Sequence, residues 1–162
     1  MQFRLHVLTI FTVALLLCSF TLAQTPATGT VTIQGWDLGP VYPCGNSSCP
    51  TYDSGMVQLT VGGFTAISGF SHTIGQSTAE ALAIKLASQL NGVNSPVVAT
   101  RSNTRLVLTS KVSGIAANYA LSAAVTHTTL FPVASFSVIT SGSSLTGGTA
   151  GSSGSGSGGS AP

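Results

Sequence analysis

Charged side chains are scarce in this sequence of 162 residues, which has five lysines and arginines and three aspartates and glutamates. Hydrolysis, group transfer and metal-assisted chemistry all need acids, bases or ligands brought together. The three carboxylates, Asp37, Asp53 and Glu80, are widely separated, and only His72 and His127 lie beyond the N-terminal segment. This composition argues against most enzymes. We predict that the protein is not an enzyme and has no catalytic residue, no cofactor and no metal ligand.

The sequence also lacks features that point to nucleic acid or to a membrane span. No basic cluster with interleaved aromatic residues is present, so we predict no nucleic-acid partner. The apolar run at residues 7–17 is shorter than the ~20 residues that a transmembrane helix needs. It follows Arg4 and precedes Thr21 and Ala23, the small residues expected before a cleavage site. We therefore predict a signal peptide over residues 1–23 and a secreted or cell-surface protein with no membrane contact after cleavage.

Cysteine is rare as well, with three in the chain. Cys18 lies within the predicted signal peptide, and lipidation of Cys18 is the alternative, although Leu17 stands where lipoprotein signals have a small residue. Cys44 and Cys49 are an even pair, which in an exported chain is most simply a disulfide. A disulfide that closes so short a loop stabilises the folded state by roughly 2 kcal/mol, which is enough to stiffen the loop but not to define a fold. A metal site would need two further ligands, and redox pairs usually have a shorter spacing.

Aliphatic residues, threonine, serine and glycine dominate what remains. Hydrophobic residues make up 43% of the chain, which suits a folded β-rich domain rather than a disordered one. We predict a single β-rich domain over residues 24–140. Residues 141–162 are almost wholly small and polar and cannot bury enough apolar surface to offset the entropy of ordering. We therefore predict a low-complexity Gly/Ser-rich flexible tail over residues 141–162.

Alternating apolar and polar residues predict the strands. The predicted strands are residues 29–35, a hairpin of residues 57–61 and 64–70 around Gly62-Gly63, a second hairpin of residues 97–100 and 105–110, and strands near 119–125 and 136–140. Residues 36–54 form a long irregular segment between the first strand and the first hairpin. The predicted sheet is therefore antiparallel and mostly built from hairpins.

One helix is predicted after the first hairpin. Ser77 and Glu80 match a capping box, in which the Ser77 hydroxyl accepts from the Glu80 amide and the glutamate returns to the Ser77 amide. Apolar residues then recur at positions 79, 82, 83, 86, 87 and 90, which form one stripe of a helix, and Gly92 stands where the chain leaves it. The predicted fold class is α+β, an antiparallel β-rich sheet domain with a single amphipathic helix packed on it.

Two groups of residues are candidates for a functional site. Trp36, Tyr42 and Tyr52 are candidate ligand-binding residues, because aromatic rings in a loop can stack on sugars; the alternative is that the rings pin the loop onto the core. Ser71, His72 and Asp53 could be imagined as a catalytic triad, but no Gly-x-Ser-x-Gly turn surrounds any serine. His127 is predicted to be an exposed histidine at the end of a strand.

The order of motifs over residues 57–114 resembles a known family. The first hairpin is followed by the helix ending Gln89-Leu90-Asn91, the strand Pro96-Val97-Val98-Ala99 and the strand Leu106-Val107-Leu108-Thr109. This order resembles the "IN" motif of flagellin and flagellar hook-associated proteins, with Leu90 in place of isoleucine. The wider stretch, residues 29–148, resembles a repeat module of large secreted bacterial surface proteins. The resemblance implies a non-catalytic building block of a surface or filament.

Composition and resemblance lead to one functional prediction and one alternative. We predict a non-catalytic secreted structural or adhesive surface module, a repeat-type domain associated with a filament or the cell surface. Its predicted partners are a surface polymer or other copies of surface proteins. The alternative is a carbohydrate-binding module that uses Trp36 and the loop of residues 42–52.

Overall fold

The computed structural model describes residues 23–45, 48–72 and 77–151. Within these residues, Gln24–Ala150 form one compact unit. The signal peptide predicted over residues 1–23 lies, except for its last residue, outside the described part, as do residues 152–162. None of the described helices has the length and apolar character needed to span a membrane.

Two antiparallel sheets and one helix form the described fold. The elements are β1 Pro26–Gly35, β2 Ser54–Val61, β3 Phe64–Ser71, α1 Ala79–Leu90, β4 Val97–Ser102, β5 Arg105–Ser113, β6 Leu121–Thr126 and β7 Phe136–Thr140, with a 3-10 turn at Ile115–Ala117. One sheet has the strand order β4-β5-β1-β7 and the other has the order β3-β2-β6. The predicted α+β class is confirmed, with the strands divided between two sheets.

Both predicted hairpins are present. β2 and β3 pair throughout their length, and Gly62 and Gly63 adopt φ angles of 54° and 83° at the turn. Only glycine takes up such positive φ angles without steric cost, which is why this dipeptide ends one strand and starts the next. β4 and β5 turn at Asn103, whose φ of 52° is also positive. Asparagine is among the few other residues that tolerate this conformation.

The inward face of each strand supplies the core. The alternation predicted from the sequence places one set of side chains, including Val31, Ile33, Leu59 and Leu106, in a fully buried cluster shared by both sheets. Burying an aliphatic side chain of this size contributes roughly 1.5–3 kcal/mol. The opposite faces of the same strands carry threonine, serine and glutamine together with a few exposed aliphatic residues.

The helix buries the predicted stripe but begins with a different cap. Its buried residues are Ala79, Leu82, Ala83, Leu86, Ala87 and Leu90. The N-cap is Thr78, whose hydroxyl accepts from the Ala81 amide at 3.1 Å. The predicted capping box of Ser77 and Glu80 is wrong, because the Ser77 hydroxyl bonds instead to the backbone of Ser71 at the end of β3.

The C-terminal end of α1 is bonded to an edge strand of each sheet. The Gln89 carboxamide donates to the Ile67 carbonyl at 2.6 Å and accepts from the Ile67 amide at 2.9 Å. The Asn91 carboxamide makes the same pair of bonds with Ala99, at 2.9 and 2.8 Å. Each side chain thus replaces the backbone of a missing neighbouring strand, and the helix closes the gap between β3 and β4.

Residues 141–150 belong to the domain, contrary to the flexible tail predicted from residue 141. Leu145 is fully buried in the core. Its amide donates to the Tyr119 carbonyl, and Thr146 exchanges two backbone hydrogen bonds with Thr28 in β1. The composition argument failed here because a single buried leucine and a few backbone hydrogen bonds can order a segment that is otherwise small and polar.

The position of Leu145 gives the first testable prediction. Leu145→Ala should lower the free energy of unfolding by roughly 2–5 kcal/mol, because it removes a fully buried side chain and leaves a cavity. Val133→Ala is the matched control, since Val133 is exposed. Urea denaturation of the full-length chain measures both. Equal stabilities for the two variants would mean that residues 141–150 do not contribute to the core.

Candidate functional site

The segments at the ends of β1 and β3 and at the start of α1 meet at one place on the domain. Trp36 and Asp37 directly follow β1, His72 follows β3, and Ser77 and Thr78 precede α1. Trp36 and Thr78 form an antiparallel bridge, so the end of β1 lies beside the start of the helix. The bonds between Ser77 and the end of β3 bring in the third segment.

A cavity of about 190 Å³ lies at this junction. Its described lining consists of Gly35, Trp36, Asp37, Ser77, Thr78 and Ala79. The Trp36 side chain is largely outside the core, with 72% of its surface exposed. The Asp37 side chain is only 12% exposed. The cavity therefore combines an open aromatic surface with a carboxylate that is mostly shielded from solvent.

Asp37 is held by a stacked pair of rings. Its Oδ2 lies 2.9 Å from Nδ1 of His72. An ionised carboxylate can only accept, so Nδ1 of His72 carries the proton in this bond. The His72 ring stacks on Tyr52, with the ring centroids 3.8 Å apart and the planes 2° from parallel. Tyr52 therefore fixes the histidine ring, and the histidine orients the carboxylate.

Of the three predicted ligand-binding residues, only Trp36 is part of the described cavity lining. Tyr52 is absent from that lining and stacks on His72. Tyr42 is 45% exposed and lies between Val41 and Cys44, in the loop that the Val41–Thr51 backbone pairing closes. Sequence reasoning missed Asp37 and its pairing with His72. The available signal was the position of Asp37, the residue directly after Trp36 at the end of a predicted strand.

Asp53 is a structural anchor and does not join His72. It is 1% exposed, and its two oxygens accept from the Thr128 amide at 3.0 Å and the Ser135 amide at 2.7 Å. Buried carboxylates need such partners, because an unpaired buried charge is costly. The arrangement of Ser71, His72 and Asp53 considered as a triad is therefore not assembled.

Two further ionisable residues have other roles. Glu80, in the first turn of α1, pairs with Arg101 at 2.9 Å, and its side chain is 53% exposed. Exposed pairs of this kind contribute at most about 1 kcal/mol. His127 is half-buried rather than exposed as predicted, and its buried Nδ1 has no hydrogen-bond partner among the described residues. Its backbone lies so close to Gly55 that a Cβ there would collide with it.

The predicted disulfide pair lies in the loop between β1 and β2. The Cys44 and Cys49 sulfurs are at bonding distance, and their Cα atoms are 6.1 Å apart, within the usual range for a disulfide. Backbone hydrogen bonds of 2.9 and 2.8 Å between Val41 and Thr51 close the same loop at its base.

Across the described ranges, no three His, Cys, Asp or Glu side chains are grouped as metal ligands would be.

No protein-family model matches this chain, and no curated protein matches its sequence. The resemblance to the flagellin motif and to bacterial surface modules therefore depends on the residues quoted above. The function must be inferred from the chemistry of the sheets and of the Trp36 cavity.

The doubly closed loop predicts a limited effect of reduction. Reducing the bond between Cys44 and Cys49 should leave the domain folded, because the contribution of so small a loop is well below the roughly 5–15 kcal/mol of a typical domain. Thermal unfolding followed by circular dichroism, with and without a phosphine reductant, measures this. Alkylation before reduction should label neither of these thiols. Global unfolding on reduction would contradict the prediction.

Asp53 and Glu80 should differ in their effect on stability. Asp53→Ala should lower the free energy of unfolding by roughly 1–3 kcal/mol, because it leaves the buried Ser135 amide without its acceptor. Glu80→Ala, which removes only an exposed ion pair, should cost less than about 1 kcal/mol. Urea denaturation compares the two alanine variants directly. If Asp53→Ala proves as mild as Glu80→Ala, the anchoring role of Asp53 is wrong.

Proposed function

We propose that this protein is a non-catalytic secreted module with a structural or adhesive role at a cell surface or in a surface filament. The observation that carries the proposal is the use of its three carboxylates. Asp53 binds two backbone amides, Glu80 pairs with Arg101 and Asp37 pairs with His72. The chain has no other aspartate or glutamate. Each of its acidic groups is thus paired with another group of the protein.

The outward face of the four-stranded sheet supports an adhesive role. Thr30 lies opposite Val107 in β5, and Thr32 lies opposite Ile139 in β7. Side chains directly opposite each other on neighbouring strands share a face of the sheet. Val107 and Ile139 are exposed. We call the surface formed by these four residues the threonine face, and we propose that it contacts a surface polymer or further copies of surface proteins.

Export is consistent with the cysteines. Disulfides persist in oxidising compartments outside the cytosol, and the Cys44–Cys49 pair lies at disulfide distance. This geometry is compatible with an extracellular protein. The predicted signal peptide and the secreted location remain part of the proposal.

Carbohydrate binding is the second candidate function. It is favoured by one observation, the exposed Trp36 ring beside a cavity that contains the shielded Asp37 carboxylate. A carbohydrate-binding role is compatible with a surface module, since a polysaccharide is one of the surface polymers such a module could contact.

The threonine face gives a test of the adhesive role. The double variant Val107→Asp and Ile139→Asp should fold normally but lose most of its retention on the surface of expressing cells, because it replaces the two aliphatic side chains of the threonine face with charged ones. Val93→Asp is the matched control: it adds a charge at an exposed residue in the turn between α1 and β4. Washed-cell immunodetection measures retention, and circular dichroism measures folding.

Leu86→Asp provides the unfolded reference for this experiment. It puts an unpaired charge at a fully buried position and should abolish both folding and retention. Ile84→Asp, on the exposed side of the same helix, should abolish neither. If the threonine-face variant folds and is retained like the wild type, that face is not the adhesive surface. Loss of a measurable turnover in any folded variant would contradict the non-catalytic proposal.

A further inference from the structure

We propose that the cavity beside Trp36 binds one neutral sugar ring of a polysaccharide chain. Trp36 provides the stacking surface, and Asp37 accepts hydrogen bonds from the sugar hydroxyls. This inference deepens the carbohydrate-binding candidate and rests on that part of the proposed function, but it does not depend on the threonine face. It also replaces the tyrosines of the predicted loop with a different set of residues.

Trp36 is exposed but firmly positioned. Its amide donates to the Ser135 carbonyl at 3.1 Å, and the amide of Leu38 donates to the Ser135 hydroxyl at 3.3 Å. Ser135 is itself buried and is held in place by Asp53. The backbone on both sides of Asp37 is therefore fixed. An aromatic residue on a fixed backbone segment loses less entropy when a ligand stacks on its ring than one on a mobile loop.

Asp37 has acceptor capacity left after its bond to His72. An ionised carboxylate can accept about four hydrogen bonds, and His72 provides one. Bonds from hydroxyl groups to a carboxylate are about twice as strong as bonds between neutral groups. The low exposure of Asp37 reduces competition from water. His72 and Tyr52 act as positioning residues, because they orient the carboxylate and are absent from the described lining.

The lining favours a neutral, hydroxyl-rich ligand. An anion would be repelled by Asp37, and no lysine or arginine lies in the described lining to attract one. An alkylammonium ion is bound best by several aromatic faces, whereas Trp36 is the single aromatic residue of that lining. A sugar ring has an apolar face for Trp36 and hydroxyl groups for Asp37, so its chemistry matches both components.

The dimensions favour one unit of a longer chain. The cavity of about 190 Å³ is smaller than the roughly 300–1,000 Å³ of sites that enclose a small molecule. The exposed ring lies at its side rather than within an enclosed pocket. A polysaccharide lying across the surface could place one ring here and leave its neighbours in solvent.

The single tryptophan makes the site directly observable. Trp36 is the only tryptophan in the chain, so its fluorescence reports on this site alone. The full chain is titrated with cellohexaose, xylohexaose, mannohexaose and chitohexaose, and with hexagalacturonate as the anionic comparison. At least one neutral oligosaccharide should change the emission saturably, and hexagalacturonate should bind more weakly. Isothermal titration calorimetry measures the same affinities without using tryptophan fluorescence.

The variants separate stacking, hydrogen bonding and positioning. Trp36→Ala should abolish binding by calorimetry, and Asp37→Asn should weaken it about tenfold, because a charged acceptor is replaced by a neutral one. His72→Gln should weaken binding, whereas Tyr52→Phe, which keeps the stacked ring, should bind within about twofold of the wild type. Tyr42→Ala is the matched control and should bind normally, because Tyr42 is an exposed aromatic residue outside the described lining. Thermal unfolding confirms that each variant is folded. If Trp36→Ala misfolds, Trp36→Tyr replaces it; this variant retains a smaller ring and should bind weakly.

Several results would overturn the inference. These are the absence of binding by all four neutral oligosaccharides, full affinity in folded Trp36→Ala or Trp36→Tyr, or tighter binding of hexagalacturonate. The outcome is separable from that for the threonine face. Cell-surface retention of Trp36→Ala tests whether the polysaccharide contact contributes to adhesion, whereas the oligosaccharide titration tests the site itself.

Discussion

The bonds between the end of α1 and the two sheets are the constraint on which the fold depends. An unpaired strand edge exposes backbone donors and acceptors, and here β3 and β4 each have one. Gln89 satisfies Ile67 and Asn91 satisfies Ala99, so a single helix end fixes the spacing of both sheets. The apolar stripe of the same helix fills the gap between them. The other end of α1 is thereby brought against the end of β1, where Thr78 meets Trp36 and forms the cavity.

The opposite side of the core is closed by residues 141–149, which connect the two sheets through backbone bonds. Thr146 pairs with β1 of one sheet, and Ser143 accepts from Leu121 at the start of β6 in the other. Leu145 then points into the shared core. The two closures use different chemistry: carboxamide side chains imitate a strand at the helix, whereas the backbone itself does so here. Both leave the outward faces of the sheets free to carry threonine and aliphatic side chains.

The parts of the fold that were predictable are those with a local periodic signal. Alternation revealed the strands, and the spacing of Leu82, Leu86 and Leu90 revealed the buried side of the helix, because period alone decides which side chains share a face. The missed features depend on contacts across the sequence. His72 reaches Asp37 over 35 positions, and Asp53 reaches Ser135 over 82. No local pattern encodes these pairings. The helix cap was missed for another reason. Ser77 and Thr78 are both favourable N-cap residues, but the Ser77 hydroxyl accepts from the Ser71 amide at the end of β3, so Thr78 is the cap.

Burial assigns a different role to each of the three carboxylates. Asp53 is enclosed by protein, so its oxygens must be satisfied by backbone amides, and it becomes an anchor. Glu80 is mostly in solvent, where an ion pair contributes little. Asp37 is intermediate: it is shielded enough for its hydrogen bonds to be strong, yet it lines a cavity that a ligand can reach. A chain with so few charges generates little long-range attraction, so its contacts must depend on short-range stacking, hydrogen bonding and apolar packing. We propose that Trp36, Asp37 and the threonine face are the surfaces that provide them.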